Sequence, residues 1–527
     1  MSTGIKLPAF SLSDSKGGLK SFPIGRPALL CFVKEDCPTC GLSMPLIEEI
    51  HRAFDGAVEV WAIGQERKGN AILEKRHRLT LPMLDDSALR VSFSYQVEIV
   101  PTLLAVDAEG RELRRLEGFA REEWRSTIGQ VAKLVGAAPP ELRWESYPQL
   151  RVGCGSKSVE PEIAQQLAAE AEGSPLRARR IQIGAAVDPF EFMFEQGITD
   201  GLPVVPPTPE RVLRMLGATH RSAQEVIAVV PPNLAPVTIE KVAINATMAG
   251  CKPEYLPVVI GAIEAVCAPE FNAHGVMSTT WGATPVMVVN GPIRNKIGMN
   301  MGLMALGYGN RANATIGRAV KLLLRNVGGA RPGEIERSTL GSSGKFTTCF
   351  AEWEERSPWE PLHVERGFAA QESVVTVFGI ESGSRQIADQ TSRSARALGG
   401  SLGLGLQACW HPKAYGAGDV LLVVSPEHAD TLGRDGWSKN QLRARIQEVT
   451  SRPIRELIRD DESGEGLAPE AVAANQLDNR VSKFRRPEYI NIVVAGGEAG
   501  KFSAVFGGWV SGPLGSIAVS RKIEEVA

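Results

Sequence analysis

Residues 27–50 read Pro27-Ala28-Leu29-Leu30-Cys31-Phe32-Val33-Lys34-Glu35-Asp36-Cys37-Pro38-Thr39-Cys40-Gly41-Leu42-Ser43-Met44-Pro45-Leu46-Ile47-Glu48-Glu49-Ile50. The first seven form an apolar run that predicts a buried strand, and Gly41 to Ile50 reads as a helix. Two cysteines with two residues between them sit at the junction, a placement suited to reversible disulfide chemistry. The start of the helix turns its unpaired N–H groups and positive dipole end toward Cys37, which favours the thiolate, the form that attacks a disulfide. Pro38 at the first helical position presets the turn. Cys40, three residues on, shares the helix face of Cys37 and is placed to resolve a mixed disulfide. The mechanism expects an exposed Cys37 sulfur. Half of a zinc ribbon would need a second Cys-x-x-Cys, which the chain lacks. Cys31, inside the strand, reads as a small buried hydrophobe.

Around this junction, residues 1–138 alternate strands and helices. Strands are expected at 28–33, 58–63, 102–106 and 112–117, and helices at 43–54, 69–77, 86–93 and 121–134. Asp107-Ala108-Glu109-Gly110 is a turn that joins the last two strands into a hairpin. Strands alternating with helices and closing on a hairpin predict an α/β unit with a mixed sheet covered on both faces.

With Leu7-Pro8-Ala9-Phe10-Ser11-Leu12, the Cys-Pro-Thr-Cys turn, Pro45 and Ile99-Val100-Pro101-Thr102-Leu103-Leu104-Ala105-Val106-Asp107-Ala108-Glu109-Gly110 in view, this segment resembles the thioredoxin-like superfamily. The branch is the one joining AhpC/TSA peroxiredoxins and the disulfide reductases of cytochrome maturation. The resemblance covers about a quarter of the chain. It implies a thioredoxin-like fold, Cys37 and Cys40 as the redox pair, and a cis Pro101 packed beside them. It also implies a thiol- or disulfide-bearing protein or small molecule as partner, with a thioredoxin-reductase-like enzyme or glutathione as electron donor. An antioxidant peroxidase is the competing activity within the family. The approach Phe32-Val33-Lys34-Glu35-Asp36-Cys37 lacks the proline and threonine of the peroxiredoxin pattern, and Glu35 and Asp36 oppose a very low thiolate pKa. Disulfide exchange therefore ranks above peroxide reduction.

The chain has 527 residues, 22% of them charged, and a formal net charge of -2. It is too long for one core, and its charge gives no reason to expect nucleic acid or an anionic membrane as partner. The start of the chain shows no apolar stretch of signal-peptide length, and no run reaches the ~18 apolar residues of a membrane span. The expected location is the cytoplasm, where the eight cysteines would form no structural disulfide framework. No cofactor or metal motif is read, and the oligomeric state is not legible.

Residues 139–187 read as a linker, opened by Pro139-Pro140 and holding a helix at 161–172 and Cys154 in a glycine- and serine-rich setting. Residues 188–527 read as an α/β region of unknown function, with a lobe boundary expected near Gly399-Gly400. Helices are expected at 238–249, 257–267, 312–326 and 439–449, and strands at 285–289, 373–378, 420–424, 491–495 and 517–520. Its candidate second site is drawn from Gly341-Ser342-Ser343-Gly344-Lys345, Cys349, Glu352 and His363. A glycine/serine turn with a lysine suits an oxyanion or carboxylate, and Cys349, Glu352 and His363 would supply a nucleophile and acid–base groups. Arg311, at the start of a helix, offers an anion seat. Cys251, Cys154 and Cys349 are candidate thiols for exchange with the Cys37/Cys40 pair. Gly496-Gly497-Glu498-Ala499-Gly500-Lys501-Phe502 misses the phosphate-loop pattern at both Ala495 and Phe502. The two leading function classes are an enzyme, a thiol–disulfide oxidoreductase whose large region is its client or a thiol-dependent catalytic body, and a thioredoxin-like sensing module attached to an enzyme acting on a small anion.

Overall fold

The computed structural model describes residues 5–381, 383–416, 418–510 and 515–525, with Glu162 described by its backbone only. The chain divides into two compact units, Met1–Ile181 and Gln182–Ala527.

The first unit is built on strand β3 (Ala28–Val33), whose six residues are all buried. The preceding hairpin pairs β1 (Phe10–Ser13) with β2 (Leu19–Phe22). After β3 come α1 (Pro38–Phe54), β4 (Glu59–Gly64), α2 (Arg67–His77), β5 (Met83–Asp85), α3 (Arg90–Ser94), β6 (Ile99–Val100), β7 (Thr102–Val106), β8 (Glu112–Glu117), β9 (Phe119–Ala120) and α4 (Arg121–Leu134). The sheet order is β5-β4-β3-β7-β8. The β3, β4 and β5 strands run parallel, whereas β7 and β8 are antiparallel additions. This is the mixed sheet with helices that the alternating pattern predicts. Apolar runs on the central strands require cover on both faces, and an aromatic cluster fills one side. Phe10 stacks on Phe22 with centroids 5.4 Å apart, and Tyr95 meets Phe10 edge-on at 5.8 Å.

The sequence reading of residues 139–187 as a linker needs correction. Most of that stretch, through Ile181, belongs to the first unit. It carries β10 (Leu150–Arg151), paired with β9, and β11 (Cys154–Gly155), paired with β6, then α5 (Pro161–Ala171). What reads as flexible glycine and serine in one dimension is a strap held by specific pairing. Ser156 and Ser158 are buried, and the Gln65 side chain donates to Ser156 Oγ (2.7 Å) while its carbonyl accepts the Lys157 N–H (3.1 Å). A buried amide satisfied on both its donor and acceptor sides fixes a chain segment well.

The second unit holds two four-stranded mixed sheets. One has the order Cys349–Ala351, Ala283–Asn290, Val374–Glu381, Val519–Lys522; the other has Arg385–Ala388, Phe502–Gly507, Val420–Val424, Ile490–Val494. Phe350, Phe378, Leu421, Val493 and Phe506 form one core drawn from both sheets. The lobe boundary expected near residue 399 is not a boundary. Gly399 and Gly400 lie inside the helix Ala395–Gln407, because that helix packs closely on Lys439–Thr450. A Cβ on Gly399 would stand 3.1 Å from Trp437 and Arg445 side-chain atoms, and one on Gly403 would stand 3.2 Å from Val449. Here glycine reports a close helix crossing rather than a break. Among the described residues no single helix is long and apolar enough to cross a membrane.

Candidate functional site

Cys37 ends the loop after β3 and caps α1. Its backbone is extended (φ -92°, ψ 114°), Pro38 takes the first helical position, and the Cys40 N–H donates to Cys37 Sγ at 3.4 Å. The helix therefore begins at Pro38, the first helical position read from the sequence and five residues ahead of the 43–54 span, because the cap and the proline initiate it. Cys37 Sγ also lies 3.3 Å from the Val100 carbonyl, to which its thiol form donates. Val100 immediately precedes Pro101, and the Val100–Pro101 peptide is cis. These contacts bring Cys37, Cys40 and Pro101 together as the resemblance implies.

The strap completes the surroundings. Thr39 Oγ1 donates to the Val152 carbonyl at 2.7 Å, and Cys154 sits opposite Val100 in the β6–β11 pairing. The Cys154 and Cys37 side chains influence each other's titration. Cys40 and Cys154 thus both neighbour Cys37. Gly153 is needed for the strap to come this close: a Cβ there would lie 2.6 Å from the Val100 oxygen and 2.4 Å from Ile99 Cγ2.

Cys37 is held as a good nucleophile. Its pKa is lowered to about 5, first by the hydrogen bond from the Cys40 thiol, then by the Cys40 and Thr39 amides and the Cys154 thiol, with burial opposing. Cys40 shifts the other way: burial and the charge on Cys37 push its thiol well up. The Cys154 thiol is raised, chiefly by its hydrogen bond to Cys37. The acidic neighbours do less than the sequence reading expects, since Glu35 pairs with Arg76 at 2.5 Å and Asp36 lies 3.5 Å from Lys34.

One expectation fails. Cys37 was to be exposed, but it is 1% exposed and Cys40 is fully buried. The cause is local: the strap crosses the mouth of the helix N-terminus, and Cys154 itself is only partly buried.

The candidate second site separates into three places. Lys345 pairs with Glu336 at 2.9 Å and lines a cavity of about 590 Å³ together with Gly341, Ser342, Ser343, Arg325 and Lys321. Lys321 was missed in the sequence because a lone lysine on an amphipathic helix reads as a solvated face. Its ammonium donates to Thr284 Oγ1 and the Pro285 carbonyl, both neutral acceptors, and burial followed by the Lys345 charge drives its pKa far down. Glu352 and His363 lie elsewhere, fully buried. The Glu352 carboxylate accepts from Asn290 Nδ2 (2.7 Å) and the Leu362 N–H (2.8 Å), and burial raises its pKa. His363 Nδ1 is 3.9 Å from Glu354. Cys349 does not join them. It starts a strand, and the period of two directs Cys349 and Glu352 to opposite faces. Cys349 is instead a neighbour of Cys251 and Lys321, and its burial raises its thiol pKa. Cys251 is also buried, its pKa pushed up to about 12 by desolvation, while Arg311 Nε donates to the Gly250 carbonyl at 2.9 Å. A nucleophile–base arrangement of Cys349, Glu352 and His363 is therefore not formed. In the glycine-rich loop near residue 500, the Glu427 carboxylate accepts the Gly500 N–H at 2.5 Å.

No protein-family model and no curated protein matches the chain. Solved structures of thiol-disulfide oxidoreductases are similar to a segment of about a quarter of it. StoA from Bacillus subtilis is 20% identical, over 23% of this chain and 96% of StoA, with a TM-score of 0.21. The thioredoxin domain of a thiol-disulfide oxidoreductase from Bacteroides vulgatus is 21% identical, over 26% of this chain and 99% of that domain, with a TM-score of 0.23. A secreted Mycobacterium tuberculosis disulfide oxidoreductase homologous to E. coli DsbE is 19% identical, over 24% and 95%, with a TM-score of 0.21.

Proposed function

We propose that the first unit is a thioredoxin-like thiol–disulfide oxidoreductase in which Cys37 attacks, Cys40 resolves and Pro101 shapes the groove beside them. The observation that carries this reading is the paired opposite tuning of two adjacent thiols: Cys37 lowered to about 5 at a helix N-terminus, Cys40 raised by burial. A low-pKa thiol is ionised at neutral pH and is the better leaving group, which lets mixed disulfides turn over. The resolving thiol needs no such ionisation in the resting state, since it acts only after Cys37 is bonded. Partners on this reading are thiol or disulfide compounds, with glutathione or a reductase as donor, in a reducing cytoplasm. Insulin reduction by the full-length protein with dithiothreitol as donor tests it. Parent turnover with Cys37→Ser inactive is expected; equal rates in the two would remove the reading.

A second reading applies to the other unit, and the cavity favours it. Three basic side chains, Lys321, Arg325 and Lys345, line it with two carboxylates, Asp200 and Glu336. Asp200 is already bound by Arg318 at 2.7 Å. A small anion entering there would meet Arg325 and, at Lys321, an amine ready to regain its proton. On this reading the unit binds or acts on a small carboxylate or phosphate compound, independently of the thiols. Calorimetric titration with succinate and with inorganic phosphate tests it, and absence of saturable binding by both would count against it.

A further inference from the structure

The oxidoreductase reading leaves a physical problem, and the inference here rests on that reading. Cys37 and Cys40 are 1% and 0% exposed, yet a visiting disulfide has to reach a sulfur. The strap that covers them presents one: Cys154, partly exposed, placed opposite Val100, whose carbonyl is 3.3 Å from Cys37 Sγ. We propose that Cys154 is the entry thiol of the site, exchanging with the external disulfide and passing the bond inward to Cys37 and then to Cys40.

Each step balances. The Cys154 sulfur attacks the external disulfide RSSR, its proton passes to the Cys37 thiolate, and RS⁻ departs, leaving Cys154–SR. Cys37 then attacks the Cys154 sulfur. A Cys37–Cys154 bond forms, the bond to SR breaks, and the second RS⁻ leaves with the proton Cys37 gives up. Finally the Cys40 sulfur attacks Cys37, forming Cys37–Cys40, and the Cys40 proton goes to departing Cys154. Two electrons have moved from the buried pair to the external disulfide, and Cys154 is restored as a thiol. In the reducing direction an external thiol attacks Cys154 in the Cys37–Cys154 disulfide and expels Cys37 as thiolate.

Geometry supports this path at three points. The pairing of Cys154 with Val100, whose carbonyl is 3.3 Å from Cys37 Sγ, sets the two cysteines side by side for the first proton transfer. Gly153 permits backbone contact so close that Cys154 stays over the site. The Gln65–Ser156–Ser158 network anchors the strap just beyond it, with Ser156 Oγ and Ser158 Oγ 2.8 Å apart. The low pKa of Cys37 makes it the sulfur that leaves most readily when the inner bond is reduced.

The test uses full-length protein and oxidised glutathione. In Cys40→Ser the relay halts one step short. Acid quenching, alkylation and peptide mapping by mass spectrometry should find Cys37 joined to Cys154. Glutathione on Cys37 with Cys154 freely alkylated would overturn the relay, because it would mean that the strap swings aside and Cys37 reacts directly. In Cys154→Ser, a near-isosteric change, oxidation of the Cys37/Cys40 pair should slow at least tenfold; an unchanged rate overturns the proposal. The two readings separate cleanly. Parent protein that never oxidises at Cys37 removes the oxidoreductase assignment itself, whereas parent that does so with Cys154 dispensable removes only the relay.

Discussion

The thiol site of the first unit and the cavity of the second are assembled by opposite routes. The thiol site is local. A strand end, a cap, a proline and a cysteine three residues on set most of its chemistry within four positions, because a helix N-terminus supplies the field and the spacing supplies the second sulfur. The cavity is a convergence. Lys321 comes from the helix Arg311–Asn326, while Lys345 and Ser343 come from a short helical turn and Glu336 from a loop. Local sites leave a motif behind. Convergent ones leave scattered single residues, each with an ordinary structural explanation.

That contrast gives experiments ordered by size. Cys37→Ser should lower disulfide reduction by ~100-fold or more while leaving anion titration of the cavity unchanged; a coupled loss of both in a folded variant would break the separation. Lys321→Met should weaken succinate or phosphate binding about tenfold, the scale of one lost charge-assisted contact, with insulin reduction unaffected. The pH profile of iodoacetamide alkylation at Cys37 should rise tenfold per unit up to about 5 and then level off. An ordinary thiol, with a value of about 8.5, would still be climbing at pH 8. The same depression links to stability with a definite sign. Because the folded value lies below the unfolded one, this contribution is complete above the unfolded pKa and is lost as pH falls through about 5. Urea titrations of the reduced protein at pH 7 and pH 4.5, compared with Cys37→Ser, measure it.

Smaller effects sharpen the comparison further. Gly153→Ala places a methyl against the Val100 oxygen, so the strap should ride higher and Cys37 alkylation at pH 7 should speed up severalfold. No change would mean that the strap is not what shields the sulfur. Gly403→Ala sets two effects against each other. Alanine in a helix gains up to about 1 kcal/mol over glycine, while overpacking costs about 1–3 kcal/mol. With Val449 at 3.2 Å and the Ile446 backbone at 3.4 Å, packing should prevail by about 1 kcal/mol, lowering the melting temperature slightly.

Legibility followed the same division. The β3, β7 and β8 strands and helix α4 stand where period and turn chemistry place them, and so do the strand Val420–Val424 and the helix Lys439–Thr450, the latter ending one residue later than expected. The strap was not legible. Its two ladders of two residues each are too short for any periodicity, and their partners β9 and β6 are equally short. The signal that was available is Gly153-Cys154-Gly155 itself, since small residues on both sides of a cysteine permit backbone to approach backbone. The second-unit candidates misled for a related reason. Cys349, Glu352 and His363 are neighbours in sequence, but strand alternation sends Cys349 away from Glu352 and His363.

Two residues are a short zipper. The β6–β11 ladder, Cys154 with Val100 and Gly155 with Ile99, is the sheet pairing at Cys154 itself, whereas the central strand β3 is paired over all six residues with β4 and over Ala28 to Phe32 with β7. A ladder that short opens by local fluctuation more readily than a central strand. The backbone amides around Cys154 should therefore trade deuterium faster than those of Leu29 to Phe32, so that the cover over the two cysteines is less protected than the strand that leads to them.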